Sequence, residues 1–165
     1  MTNEKEQPQV QKRQLLRKWR YSFYYWWRRG WCRLNGPGLI GRFAAWVASL
    51  GTPPLVGRAY LAGYYDRGFV APGVFIRPFG VQLGRHVYIG DRCEIMAGSS
   101  DAGDITIGDR VHLYGRITLI TGQRGQIRIG DSTHIQPDVH IRAFEADIEI
   151  AEQVEICLLY TSPSP

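Results

Sequence analysis

The stretch "IGDRVHLYGRITLITGQR", residues 107–124, decides how the rest of this chain is read. An aliphatic residue stands at every sixth position, at Ile107, Leu113 and Leu119, with glycine, aspartate and other polar residues between. The same three-hexad set occurs upstream as "LGRHVYIGDRCEIMAGSS" (83–100) and downstream as "IGDSTHIQPDVHIRAFEA" (129–146). A fourth set opens with "IAEQVE" at Ile150. Between sets lie 6, 4 and 3 extra residues, so Leu83, Ile107, Ile129 and Ile150 are equivalent positions at intervals of 24, 22 and 21. Every insertion falls at the same place in the set and ends in the same kind of phrase: "ITIGD", "IRIGD", "IEIAE".

A period of this length marks a solenoid, in which each unit buries its apolar face only by stacking on its neighbours. Three short strands per set make a triangular coil. The first residue of each hexad points into the core, as do Val87, Val111, Thr133 and Val154 four places after the start of a set, and Gly or Asp turns the corner. The column Gly84, Gly108, Gly130 is then backbone geometry. It is not a phosphate cradle, because no strand–GxGxxG–helix context surrounds it.

The pattern from about Val70 to Ile156 resembles the hexapeptide-repeat acyltransferases. Their signature is an aliphatic residue, a small one, two polar ones, a small or branched one, then any residue. The fold the resemblance implies is mainly β: a left-handed parallel β-helix, an exception to the right-handed crossover rule. The phrases "DRVHLYGRITLITGQ" and "STHIQPDVHI" are similar in particular to acyltransferases that decorate polysaccharides and surface glycans. The activity implied is O-acyl transfer, most commonly acetyl, from acyl-coenzyme A to a sugar or glycan hydroxyl. A cytoplasmic homotrimer, with acyl-coenzyme A as co-substrate and no metal, is implied with it.

Such chemistry needs a base for the acceptor hydroxyl and donors for the oxyanion. Repeat arithmetic stacks His112 and His134 one coil apart, with Tyr88 below, Glu155 above and about 4.8 Å per coil. These two histidines are the candidate catalytic residues. His140 falls in line with Glu94 and Thr118, around a corner from that column, and His86 completes the four. The resemblance places the family's own catalytic histidine in a loop after the coil that begins "IEIAEQVEI", beyond this sequence.

Ahead of the repeat, residues 1–69 carry 12 Lys+Arg against 3 Asp+Glu, whereas residues 70–165 carry 8 against 12. Residues 1–69 are expected to form a basic, aromatic-rich helical segment and 70–156 the β-helix. "RKWRYSFYYWWRRGWCRL" (17–34), wound as a helix, puts Trp19, Phe23, Trp26, Trp27 and Trp31 on one broad side, with Arg17, Lys18, Arg28 and Arg29 mostly on the other. A second helix is expected over about 39–50. Aromatic tips with a basic flank suit a bilayer interface, so residues 17–50 are a candidate membrane-surface contact at the inner face of a membrane. The competing reading is a cap on the open end of the solenoid, or an oligomer contact. No nucleic-acid module accompanies the aromatics and arginines. Three cysteines without CxxC spacing imply neither a disulfide framework nor a zinc site. No apolar segment reaches the length of a membrane span.

The last residues, "CLLYTSPSP" (157–165), break the period by placing apolar groups on both faces. They are similar to one reading frame of a transposon-end sequencing adapter. A non-native tail on an incomplete reading frame is therefore expected, with the fragment itself inactive. Two rival readings share the fold. One is a zinc-dependent, carbonic anhydrase-like trimer, which would need His112, His134 and His140 to converge across an interface. The other is a non-catalytic scaffold or binding module.

Overall fold

The computed structural model describes residues 23, 25–35, 39–50, 52, 56–77, 79–98 and 103–157. Trp19, Arg17, Lys18 and all of the tail after Cys157 lie outside them. The chain is mainly β, a parallel β-solenoid of about four turns preceded by helices. Helices α1 (25–33) and α2 (Leu39–Ser49) come first, then a one-turn α3 (Val56–Ala59) that runs into a 3-10 turn at Tyr60–Tyr64.

Thirteen short strands follow. The first turn holds β1 (Phe69–Val70), β2 (Phe75–Ile76) and β3 (Val81–Leu83); the second holds β4 (Tyr88–Ile89), β5 (Glu94–Met96) and β6 (Ile105–Ile107). Next come β7 (His112–Leu113), β8 (Thr118–Thr121) and β9 (Ile127–Ile129), then β10 (His134–Ile135), β11 (His140–Ala143) and β12 (Ile148–Ile150), and finally β13 (Glu155–Ile156). Every third strand pairs, giving three sheets in the orders β1-β4-β7-β10-β13, β2-β5-β8-β11 and β3-β6-β9-β12. All pairings are parallel, with Leu83, Ile107, Ile129 and Ile150 in register.

Strands this short are held by what they bury. Ile89, Leu113 and Ile135 from the first sheet, Ile95 and Leu119 from the second, and Ile107 and Ile129 from the third fill one continuous core. Each such side chain contributes about 1.5–3 kcal/mol relative to exposure. Val87, Val111 and Thr133 are buried with them as expected. Leu83 departs from the expectation and is 40% exposed. Its strand, β3, is the end strand of its sheet, so no coil lies beneath it.

At the corners the left-handed backbone falls on His86, Arg110, Ser132 and Gln153 (φ 56–57°), two residues after Gly84, Gly108, Gly130 and Ala151, and again on Arg92, Arg116 and Asp138. None of these is glycine. Gly84 is required instead for close approach, because a Cβ there would sit 2.5 Å from the Gly108 carbonyl carbon of the next coil. The aspartates beside the glycines brace successive coils. Asp109 accepts the Arg85 N–H at 2.7 Å, and Asp131 accepts the Asp109 N–H at 2.8 Å. The Arg85 backbone amide above all, with the Arg85 guanidinium beside it, holds the Asp109 carboxyl below its usual pKa.

The helical segment closes the lower end of the first sheet. β1 is an end strand, and its outward-facing Val70 backbone meets the Asn35 amide as it would meet another coil. Asn35 Nδ2 donates to Val70 O at 3.1 Å, and Val70 N donates to Asn35 Oδ1 at 3.3 Å. Arg42 Nε donates to Pro72 O at 2.7 Å. Cys32, Ala45, Ala48, Leu61 and Ala62 then cover the outer face of the lower coils, packing on Phe69 and Tyr88. Capping is thus what the inner side of these helices does.

Candidate functional site

The outer face of the first sheet carries a column of rings. Strand pairing sets Phe69, Tyr88, His112, His134 and Glu155 in one register, as the repeat arithmetic places them. Their surroundings are unequal. Tyr88 is 2% exposed because the helical segment lies over it. Its ring stacks on Phe69 at a centroid distance of 6.0 Å, and burial pushes its hydroxyl pKa up to about 12. His112 and His134 stand just beyond the edge of that cover, half-buried, with ring centroids 4.8 Å apart.

Tyr114 joins them. Alternate residues of a strand share a face, so it lies on the same outer face as His112 in the same coil. Its hydroxyl is 3.1 Å from His134 Nδ1 and 3.5 Å from His112 Nδ1, the second contact being the weaker. Its ring stacks on that of His134 at 6.0 Å. Burial foremost, then Glu155 and Tyr60, raises the Tyr114 pKa, so the hydroxyl keeps its proton at neutral pH. Burial, and after it the neighbouring His134, lowers the pKa of His112 and keeps that ring neutral. Gln136 Nε2 donates to Glu155 Oε1 at 2.8 Å on the adjacent rungs.

On the other side of Tyr114, at the corner between the first and second sheets, lies a cleft of about 480 Å³. Tyr88, Tyr114, Arg58, Asp91, Arg92 and Arg116 contribute its polar and aromatic lining. Arg58 comes from α3 and pairs with Asp91 at 2.7 Å, tying the helical segment to the cleft wall. Arg116 pairs with Asp138 at 2.6 Å. The histidines do not line this cleft; Tyr114 belongs to both. The lining is suited to a hydroxyl-rich or anionic ligand, with tyrosine faces and fixed charges converging on one concavity.

The remaining histidines stand apart. His86 is structural: its Nδ1 is 3.2 Å from Ala62 O and its Nε2 is 3.6 Å from Asp66, which fastens the 3-10 turn to a corner. His140 is exposed on the second sheet, paired in register with Thr118, a corner away from His112 and His134. Among the described residues no three His, Cys, Asp or Glu side chains converge as a metal-holding group. Cys32 and Cys93 are buried, and burial pushes both thiols up to about 11.

Sequence reasoning placed both histidines but passed over Tyr114, Arg58 and Asp91. The second position of a hexad is small in the first hexad of each set (Gly84, Gly108, Gly130, Ala151) and at Gly90, but large at Met96, Tyr114, Ile120, Gln136 and Arg142, so the period did not single Tyr114 out. No family model, no curated protein and no solved structure matches the chain significantly.

Proposed function

We propose that this chain forms the coil body of an acyl-coenzyme A-dependent O-acyltransferase, most simply an acetyltransferase, acting on a sugar or glycan hydroxyl. The observation that carries the reading is the Tyr114 hydroxyl set between two imidazole Nδ1 atoms at the rim of a polar cleft. A hydroxyl has one proton, so it donates to one Nδ1 and accepts from the other. The ring that donates Nδ1–H to Tyr114 keeps an unprotonated Nε2, which is a general base. The ring that accepts carries Nε2–H, which is a donor.

In the reaction proposed, the free Nε2 takes the proton of the acceptor hydroxyl as its oxygen attacks the thioester carbonyl. The neighbouring Nε2–H stabilises the oxyanion. Collapse of the tetrahedral intermediate breaks the C–S bond, and the imidazolium returns its proton to the leaving thiolate. The products are the sugar ester and free coenzyme A thiol, which balances the step. The cleft, with its tyrosines and arginines, holds the acceptor. A homotrimeric assembly belongs to the same proposal and rests on the family resemblance.

The test is thiol release from acetyl-coenzyme A in the presence of a panel of sugars, using the protein expressed from its native gene, with ester formation followed by mass. Of His112→Gln and His134→Gln, the variant that removes the base is expected to lower turnover by about 10²–10⁴-fold and the one that removes the oxyanion donor by about 10²–10³-fold. Transfer that proceeds at the unaltered rate in both variants places the base elsewhere. A protein that binds glycan without transferring acyl groups is a binding module on the same fold.

A further inference from the structure

The side of the helical segment turned away from the coils is apolar, aromatic and uncovered. Four exposed rings run across it, Phe23 and Trp27 from the first helix and Phe43 and Trp46 from α2, joined through the half-buried Trp31, which also packs on the cluster beneath; successive centroids are 6.2, 5.7, 6.3 and 6.0 Å apart. Leu39 and Ile40 extend the patch and are 85% and 77% exposed. Trp26 is 69% exposed beside it. Soluble monomers rarely leave contiguous apolar surface of this kind without a use for it.

The charge around the patch says what kind of surface covers it. Between residues 7 and 65 the chain has ten Lys and Arg and no Asp or Glu. Arg29 and Arg33 are exposed on α1 itself. A second copy of this chain would bring like charges together across a two-fold contact, whereas anionic lipid headgroups take those charges and leave the rings at headgroup depth. Among the described residues no helix is long and apolar enough to cross a membrane.

We infer that α1 and α2 form an in-plane docking face for an anionic bilayer: their inner sides cap the solenoid, while the exposed rings of Phe23, Trp27, Phe43 and Trp46 enter the headgroup layer and the flanking arginines bind its charge. The coil axis is thereby anchored at a membrane surface through its first turn. This inference is independent of the acyltransferase proposal, and failure of either leaves the other standing.

All five tryptophans of the chain lie between residues 19 and 46, so selectively excited tryptophan emission reports on this segment alone. The experiment is flotation and tryptophan emission with vesicles of one-quarter phosphatidylglycerol in phosphatidylcholine, against phosphatidylcholine alone, at low and high salt. The expected result is flotation with the anionic vesicles, a blue-shifted emission quenched by brominated lipid, and weakening by salt. Each basic residue near an anionic surface contributes roughly five-fold to partitioning, so R29E/R33E, at two exposed positions, is expected to lose twenty-fold or more. F43S/W46S is expected to abolish the blue shift while far-UV circular dichroism stays unchanged. Wild-type protein that stays unbound to anionic vesicles at low salt overturns the inference, as does binding indifferent to R29E/R33E. Sedimentation showing that F43S/W46S breaks an oligomer also overturns it, because the stripe is then a contact between copies.

Discussion

Replacing Asn35 with alanine removes both hydrogen bonds that stand in for a missing coil beneath β1. The Val70 N–H and C=O face away from β4, and the Asn35 amide satisfies both, at 3.3 and 3.1 Å. A bond of this kind contributes a net of about 0.5–1.5 kcal/mol, so the pair is worth roughly 1–3 kcal/mol. In a chain of this size that lowers Tm by about 3–10 °C. Asn35→Asp separates bonding from packing. A carboxylate still accepts from Val70 N–H, but it sets a charged oxygen against Val70 O and is expected to cost at least as much as alanine. Thermal unfolding by circular dichroism gives the magnitude, and hydrogen exchange at the Val70 amide gives the location. A solenoid frays from an uncapped end, so exchange is expected to accelerate at Val70 before the inner strands. Stability within about 0.5 kcal/mol of wild type, with Val70 exchange unchanged, would refute the claim that Asn35 terminates the sheet.

The close approach at the corners gives a second expectation: Gly84→Ala brings a Cβ against backbone atoms of Gly108 and Asp109 at 2.5–2.7 Å, and urea unfolding is expected to show a loss of about 1–3 kcal/mol. In the core, Ile117→Ala is expected to cost about 2–5 kcal/mol by the same measurement, since Ile117 is fully buried in the stack. The His112 pKa lies below its unfolded value, so its contribution is fully present above the unfolded pKa and is lost as pH falls through the window below it. Unfolding free energy of the wild type is expected to decline on acidification from about pH 7 toward 5, and His112→Gln flattens that decline. The thiols of Cys32 and Cys93, buried and pushed up to about 11, are expected to resist iodoacetamide at pH 8 in the folded protein, while exposed Cys157 reacts.

What the repeat could tell was governed by its own period. A six-residue spacing fixes which residues share a face and which stack, so the His112–His134 register and the offset of His140 were legible before any coordinates. Leu83 was misread because periodicity does not say which coil is at the end. The repeat marked the corner glycines as backbone geometry, but not that their role is contact between coils while the left-handed residue stands two places later. The burial of Tyr88 depends on helices that precede the repeat by dozens of residues, and a local pattern carries no information about where such a segment lands. Arg58 reaches the cleft the same way, through α3. Tyr114 was not legible either, since the second hexad position holds a large residue as often as a small one, and only the register of neighbouring coils brings its hydroxyl to the two histidines.

In the proposed mechanism one tyrosine proton holds two edge-to-face imidazoles in opposite tautomers, making one a base and the other a donor. Long-range proton–nitrogen correlation of ¹⁵N-histidine protein at neutral pH reads both ring nitrogens of His112 and His134 directly. The predicted result is one ring with its proton on Nδ1 and the other with its proton on Nε2, the distinction collapsing in Tyr114→Phe. Both rings protonated on Nε2 in the wild type would leave no free Nε2 to act as base, and would contradict it.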